Sequence, residues 1–207
     1  TSDNDAGTNG ICYSIVDMTL SAGLGEVTIK NFQLKTPSCE KLCAVRHCNN
    51  VDVWVLSHDW NTNVFTAWSV DNFGVAGITS WSISGSVMSG VPQSSYGQLK
   101  SSPNGRKLVS CSYGLNKIEL HNFDPSTGFA SGGFTLSNET GIYGCEFSPD
   151  GRLLYGGTNQ GMLLQWDLCA GTQAQIQASR RVVSNAGAFI GSIQLGPDGK
   201  VYVARNN

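Results

Sequence analysis

The chain predicts an all-β fold, a β-propeller of WD-repeat-like four-stranded blades, on three observations. A Pro-Asn/Asp-Gly turn recurs at nearly constant spacing. An aspartate closes a strand-like run in every unit. No stretch carries a convincing apolar period of 3.6 residues, and the 25 glycines disfavour long helices.

The turn occurs in Leu99-Lys-Ser-Ser-Pro-Asn-Gly-Arg-Lys-Leu108, in Glu146-Phe-Ser-Pro-Asp-Gly-Arg-Leu-Leu154 and in Gln194-Leu-Gly-Pro-Asp-Gly-Lys-Val-Tyr202. Its prolines, Pro103, Pro149 and Pro197, lie 46 and 48 residues apart. Proline presets φ at one corner, and Gly105, Gly151 and Gly199 supply the positive φ of a tight reversal. A β-prone run follows each turn, so each signature reads as the hairpin joining the first two strands of a unit. The second marker is Asp17, Asp71, Asp124 and Asp167, spaced by 54, 53 and 43 residues. Each can bond nearby backbone amides and start the turn into the outermost strand.

Together the markers define four strands in roughly 45 to 50 residues, the length of a propeller blade. The chain opens with a half blade, 11–34, holding a third and an outer strand. Blades follow at about 39–87, 96–137 and 143–184, with the last outer strand at Ile176 to Val183. A half blade, 192–205, closes the chain with an inner and a second strand. Residues 11–207 thus form a single propeller domain or propeller fragment of about four blade equivalents, and 1–10 a flexible N-terminal segment. The two half blades are complementary. They either join into a closed four-bladed ring or belong to a larger propeller, and the larger propeller is favoured because most rings exceed four blades.

Composition narrows the function. Charged residues make up 14% of the chain, well below the usual quarter, and the formal net charge is −2. No basic cluster suits nucleic acid, and no apolar run is long enough to span a bilayer. Of seven cysteines, Cys39, Cys43 and Cys48 are close enough in sequence for a local disulfide, with Cys43–Cys48 preferred. Their spacings of four and five, with His47 beside Cys48 and no second cluster, do not suit zinc, so no metal or other cofactor is expected.

Several runs resemble a known family. They are Tyr13-Ser-Ile-Val-Asp-Met-Thr-Leu20, Trp54-Val-Leu-Ser-His-Asp-Trp-Asn61, Tyr113-Gly-Leu-Asn-Lys117, Gln165-Trp-Asp-Leu-Cys-Ala-Gly171 and the Pro-Asp-Gly segments after Gly144 and Gln194. The family is the propeller-like N-terminal region of large Bacteroidetes proteins of the gliding-motility-associated, type IX secretion sorting-domain kind. The resemblance runs from about residue 11 to the end. It implies export to the cell surface or medium and further domains of the same polypeptide. It supplies no catalytic residues.

The most pointed cluster is His58-Asp59-Trp60-Asn61, at the turn from second to third strand. As a ligand-facing rim it would offer a stacking ring and hydrogen bonds. As structure it would cap the turn and pack between blades, the commoner fate of such residues. Trp166-Asp167 is a fold marker of WD-repeat blades. Tyr96, Tyr113 and Tyr143 stand near inner-strand ends, where they could edge a central channel. No nucleophile elbow is present, and His47, His58 and His121 stand in no recognisable catalytic motif.

The leading expectation is a secreted or surface-exposed, non-catalytic binding or display module, with a glycan or another surface macromolecule as its partner. A propeller enzyme of lactonase or lyase type, with a metal in the central channel, is the alternative. A structural subunit of an extracellular assembly is the third possibility.

Overall fold

The computed structural model describes residues 9–185 and 187–206. Residues 1–8, most of the expected flexible segment, lie outside them. Among the described residues, sixteen strands and one short α-helix make up the regular structure, together with two 3-10 turns, Ser21–Gly23 and Pro92–Ser95.

The strands fall into sheets in chain order. Strands β1 (Ile11–Asp17) and β2 (Glu26–Lys35) form a two-stranded sheet. The first complete blade is β3 (Ser38–Arg46), β4 (Val53–Asp59), β5 (Val64–Asp71) and β6 (Gly74–Ile83). The second is β7 (Leu99–Ser101), β8 (Lys107–Ser112), β9 (Lys117–Asp124) and β10 (Phe129–Asn138). The third is β11 (Ile142–Phe147), β12 (Leu153–Thr158), β13 (Met162–Asp167) and β14 (Arg181–Asn185). Strands β15 (Ile190–Leu195) and β16 (Val201–Arg205) form a second two-stranded sheet. All neighbours are antiparallel, as short hairpin connections require. Among the described residues β16 does not pair with β1, so no four-bladed ring is closed.

Turn chemistry sets the blade boundaries. Gly105, Gly151 and Gly199 adopt φ of +68°, +70° and +75°. Asn104 Oδ1, Asp150 Oδ1 and Asp198 Oδ1 each accept the N–H two residues on, at 3.0, 3.0 and 3.1 Å. The strand-end aspartates do the same. Asp17, Asp71, Asp124 and Asp167 accept from Thr19, Phe73, Ser126 and Cys169 at 2.9, 2.7, 2.9 and 2.9 Å. These bonds favour the ionised form, and Asp17, Asp124 and Asp167 are held below the usual carboxylate range by bonds from Thr19, Ser126 and Arg152 respectively. The first blade uses a different turn, in which Asn49 Oδ1 accepts from Val51 and Asp52, both at 3.0 Å.

One expected strand is partly a helix. The run Ile176 to Val183 divides between α1 (Gln173–Ala178) and β14. Thr172 caps α1 reciprocally with Gln175, whose side chain accepts the Thr172 N–H at 2.8 Å. This capping box and the Ala/Gln content outweigh the β-prone Ile176, whose side chain is buried.

The core lies between blades, and period-two alternation assigns each residue to an interface. Leu99, Leu108, Phe123 and Ala130 of the second blade meet Cys43, Val45, Trp54, Leu56, Phe65 and Ala67 of the first. On the other face of the second blade, Val109, Cys111, Ile118, Leu120 and Leu136 meet Ile142, Cys145, Phe147, Leu154 and Trp166 of the third. Polar ties cross the first interface. Ser82 Oγ accepts the Ala130 N–H at 2.9 Å, and Ser84 Oγ accepts the Gly133 N–H at 3.0 Å. A Cβ at Gly133 would stand 2.4 Å from His121 Nδ1, so only glycine allows this approach. At the chain's front, Ile15, Val16, Val27, Ile29 and Phe32 of β1 and β2 remain exposed.

Candidate functional site

The innermost strands β3, β7, β11 and β15 neighbour one another in chain order, and their exposed faces line a cleft of about 1130 Å³. On β3 the side chains alternate, so Cys39, Lys41, Cys43 and Val45 are buried while Glu40 and Arg46 line the cleft. An innermost strand has one edge without a strand partner, and its backbone groups need other partners. For β11 and β15, side chains of earlier blades supply them. Gln98 Oε1 accepts the N–H of Cys145 and of Ile193, each at 3.0 Å. Glu146 Oε2 accepts the N–H of Leu195 at 3.1 Å.

Lys100 stands at the centre. Its Nζ pairs with Glu146 Oε2 at 3.2 Å and donates to Gln194 Oε1 at 2.6 Å. Tyr143 Oη donates to Glu40 Oε1 at 2.7 Å. Burial, then the Glu40 carboxylate, pushes the tyrosine up to about 12, so it remains a neutral donor. At the mouth Arg46 and Arg106 are exposed and form no ion pair among the described residues. Lys100 is matched to Glu146, while Arg46, Arg106 and Glu40 are the other charged groups of the cleft, and Arg106 also acts on the Asp124 carboxylate.

In the sequence cluster His58-Asp59-Trp60-Asn61, the first two side chains turn inward rather than onto a ligand-facing rim. His58 is fully buried and Asp59 nearly so. The imidazole of His58 packs edge-on against Phe65 at 4.7 Å, and burial drives it down to about 3. Asp59 Oδ1 accepts from Thr66 at 2.9 Å and Oδ2 pairs with Lys35. Trp60 is half-buried and Asn61 exposed. Inward-facing positions on β4 set this outcome, because its last four residues are all buried. Of the three tyrosines, Tyr143 lines the cleft. Tyr113 Oη instead accepts from Asn159 Nδ2 at 3.0 Å.

Among the described residues no disulfide links any two cysteines. Cys43 packs in the first interblade core, whereas Cys48 is exposed with Sγ 3.7 Å from His47 Nδ1. Among the described residues no group of three metal-ligating side chains forms, so nothing in the cleft fits the metal of the lactonase-type alternative.

Sequence reasoning missed the cleft residues, although a signal was present. Lys100, Glu146 and Gln194 each stand three residues before the turn proline of their repeat. Equivalent positions on adjacent innermost strands come to equivalent heights, and these three side chains meet.

The chain resembles solved structures along nearly its whole length. One is a candidate 6-phosphogluconolactonase from Bacteroides uniformis ATCC 8492, 14% identical with a TM-score of 0.59 over 98% of this chain. Another candidate of that name, from Bacteroides fragilis NCTC 9343, is 17% identical with a TM-score of 0.59 over 100% of this chain. Hydrazine synthase of Kuenenia stuttgartiensis matches at 14% identity and a TM-score of 0.53, over 93% of this chain and 49% of its own. The fold is propeller-like. The chain spans 59% of the length of each of the two Bacteroides proteins. No family model matches it, and a search of curated proteins finds no match. Among the described residues no helix is long and apolar enough to cross a membrane.

Proposed function

We propose that the axial cleft binds a small anionic, hydroxyl-bearing molecule, and that the hydrolysis of a sugar-acid lactone is the activity it serves. The observation that carries the reading is the arrangement of Arg46 and Arg106 at the mouth, with Lys100, Gln194, Glu146 and Glu40 inside. Exposed guanidinium groups held in no ion pair among the described residues suit a carboxylate or phosphate. The amide and carboxylate groups suit hydroxyls. The likeness to two candidate 6-phosphogluconolactonases supports the same ligand class.

Glu40 is the group placed for hydrolysis. Tyr143 holds one of its oxygens, and the side chain opens on the cleft. As a base it would take a proton from a water attacking the lactone carbonyl. The ring C–O bond then breaks, and the proton passes to the leaving alkoxide. Glu146 is the poorer candidate, since Lys100 and the amides of Phe147 and Leu195 already engage its oxygens.

Calorimetric titration with 6-phosphogluconate, together with pH-stat assay of the corresponding lactone, tests the proposal. Binding should weaken at least tenfold in the double variant Arg46→Ala/Arg106→Ala. Turnover should fall at least a hundredfold in Glu40→Gln while binding persists. Binding without turnover in the parent protein would leave the non-catalytic recognition module and remove the hydrolytic step. Binding of a neutral oligosaccharide in place of the anion would instead favour the glycan-binding surface module. Export, the other part of that module, is proposed on the resemblance of the Tyr13–Leu20 and Trp54–Asn61 runs and the low charge content. Labelling of intact cells with an impermeant reagent checks it.

A further inference from the structure

Cys111 lies within β8 and Cys145 within β11, on the two faces that meet between the second and third blades. Both are fully buried. One carbonyl oxygen, that of Gln98, accepts the Cys111 N–H at 2.9 Å and the Cys145 thiol at 3.6 Å. The Cys111 thiol in turn donates to the carbonyl of Gly144, the residue before Cys145, at 3.8 Å. Each thiol thus reaches a carbonyl beside the other cysteine's strand, and Cys111 is among the groups that act on the Cys145 thiol. The remaining buried cysteines are placed differently. Cys39 Sγ lies 3.8 Å from His58 Nδ1, and Cys43 belongs to the first interblade core.

We propose that Cys111 and Cys145 are a disulfide-forming pair that staples the second blade to the third. Such a bond requires Cα atoms within about 7 Å, and the shared Gln98 carbonyl together with the Cys111 thiol on the Gly144 carbonyl brings the two strands side by side at these residues. Of the local pairings suggested by the spacing of Cys39, Cys43 and Cys48, the geometry of β3 bears on one. Cys39 and Cys43 lie four residues apart on one extended strand, about 13 Å, beyond the reach of a disulfide.

The oxidant is a low-molecular-weight disulfide such as glutathione disulfide. One cysteine thiolate attacks it, giving a mixed disulfide and one free glutathione thiolate. The second cysteine thiolate then displaces the second glutathione. The two cysteines lose two protons and two electrons, and one glutathione disulfide becomes two thiols. The step belongs to folding. Once the blades dock, burial pushes the Cys145 thiol well above its ordinary range, the attacking thiolate becomes scarce, and neither sulfur is accessible. The finished bond is protected from reduction for the same reason.

The test begins with reduced, denatured chain refolded with glutathione disulfide, then denatured again and alkylated. Five of the seven cysteines should alkylate, and the Cys111 and Cys145 peptides should emerge joined. The oxidised protein should melt about 5 °C or more above its reduced form. That difference should vanish in Cys145→Ala. Native reduced protein should react at least tenfold more slowly with the same oxidant than the refolding chain does. Seven alkylated cysteines, a bond between other cysteines, or equal rates from the native and refolding forms would each overturn the proposal. Mapping on the parent protein keeps the test decisive even if Cys145→Ala folds poorly.

Discussion

At the scale of the residue, buried titratable groups make the clearest statements. Burial holds His58 down to about 3 and His121 down to about 4, from an ordinary value of 6.5. Ser84 Oγ lies 2.8 Å from His121 Nδ1 and also accepts the Gly133 N–H, which leaves its hydroxyl proton free to be given to a neutral imidazole. Both rings are therefore neutral in the folded protein. As pH falls below about 6.5, the unfolded chain takes up protons that the folded chain refuses. The stabilisation is complete above that pH and is lost progressively towards pH 4 and then 3. The loss by pH 4 is on the order of a few kcal/mol, or about 10 °C in Tm. Calorimetry at pH 7.5 and 4.5 measures it. His121→Asn, which keeps an acceptor for Ser84, should flatten the dependence, and an unchanged slope would refute the assignment. The sequence marked His58 as noteworthy but not its fate. A polar run at a turn reads alike whether it points outward or into a core, and only the blade packed against β4 decides.

At the scale of the element, most of the fold was legible because its boundaries are local chemistry. Asx bonds from Asp17, Asp71, Asp124 and Asp167, and positive φ at Gly105, Gly151 and Gly199, involve residues adjacent in sequence. The helix α1 was less legible, since its Thr172/Gln175 box precedes a run that also suits a strand. The turn at Gly151 gives a sharp test. An added Cβ would meet Pro103 Cδ at 3.5 Å, which is ordinary contact, so the cost of substitution is conformational. Gly151→Val should destabilise by about 2 kcal/mol, because a β-branched residue resists φ of +70°. Gly151→Asn should cost well under half as much, since asparagine tolerates the left-handed region. Urea unfolding of both variants compares them, and equal midpoints would show that the turn does not need its glycine.

At the scale of the whole molecule, the axial cleft was the least legible feature. Lys100, Glu146 and Gln194 belong to three different repeats, and nothing local unites them. Only stacking of one blade on the next brings them together. The stacking also accounts for the polar ties, because β11 and β15 use the Gln98 and Glu146 side chains of earlier blades to satisfy amides at Cys145, Ile193 and Leu195. Each blade thus has a backbone ladder of its own and takes mostly side-chain bonds from its neighbours, with isolated backbone bonds such as Gln98 N–H to Tyr143 O and Cys48 N–H to Pro125 O. Under tension this division has a mechanical consequence. Load applied to the two termini of the reduced chain should part the weaker side-chain contacts between blades before it tears any ladder, and then unravel blades one at a time. Each would release about 45 residues, or roughly 150 Å of contour length. A force–extension trace should show three rips of similar height and spacing, and a single rip spanning the whole chain would mean that the blades yield together.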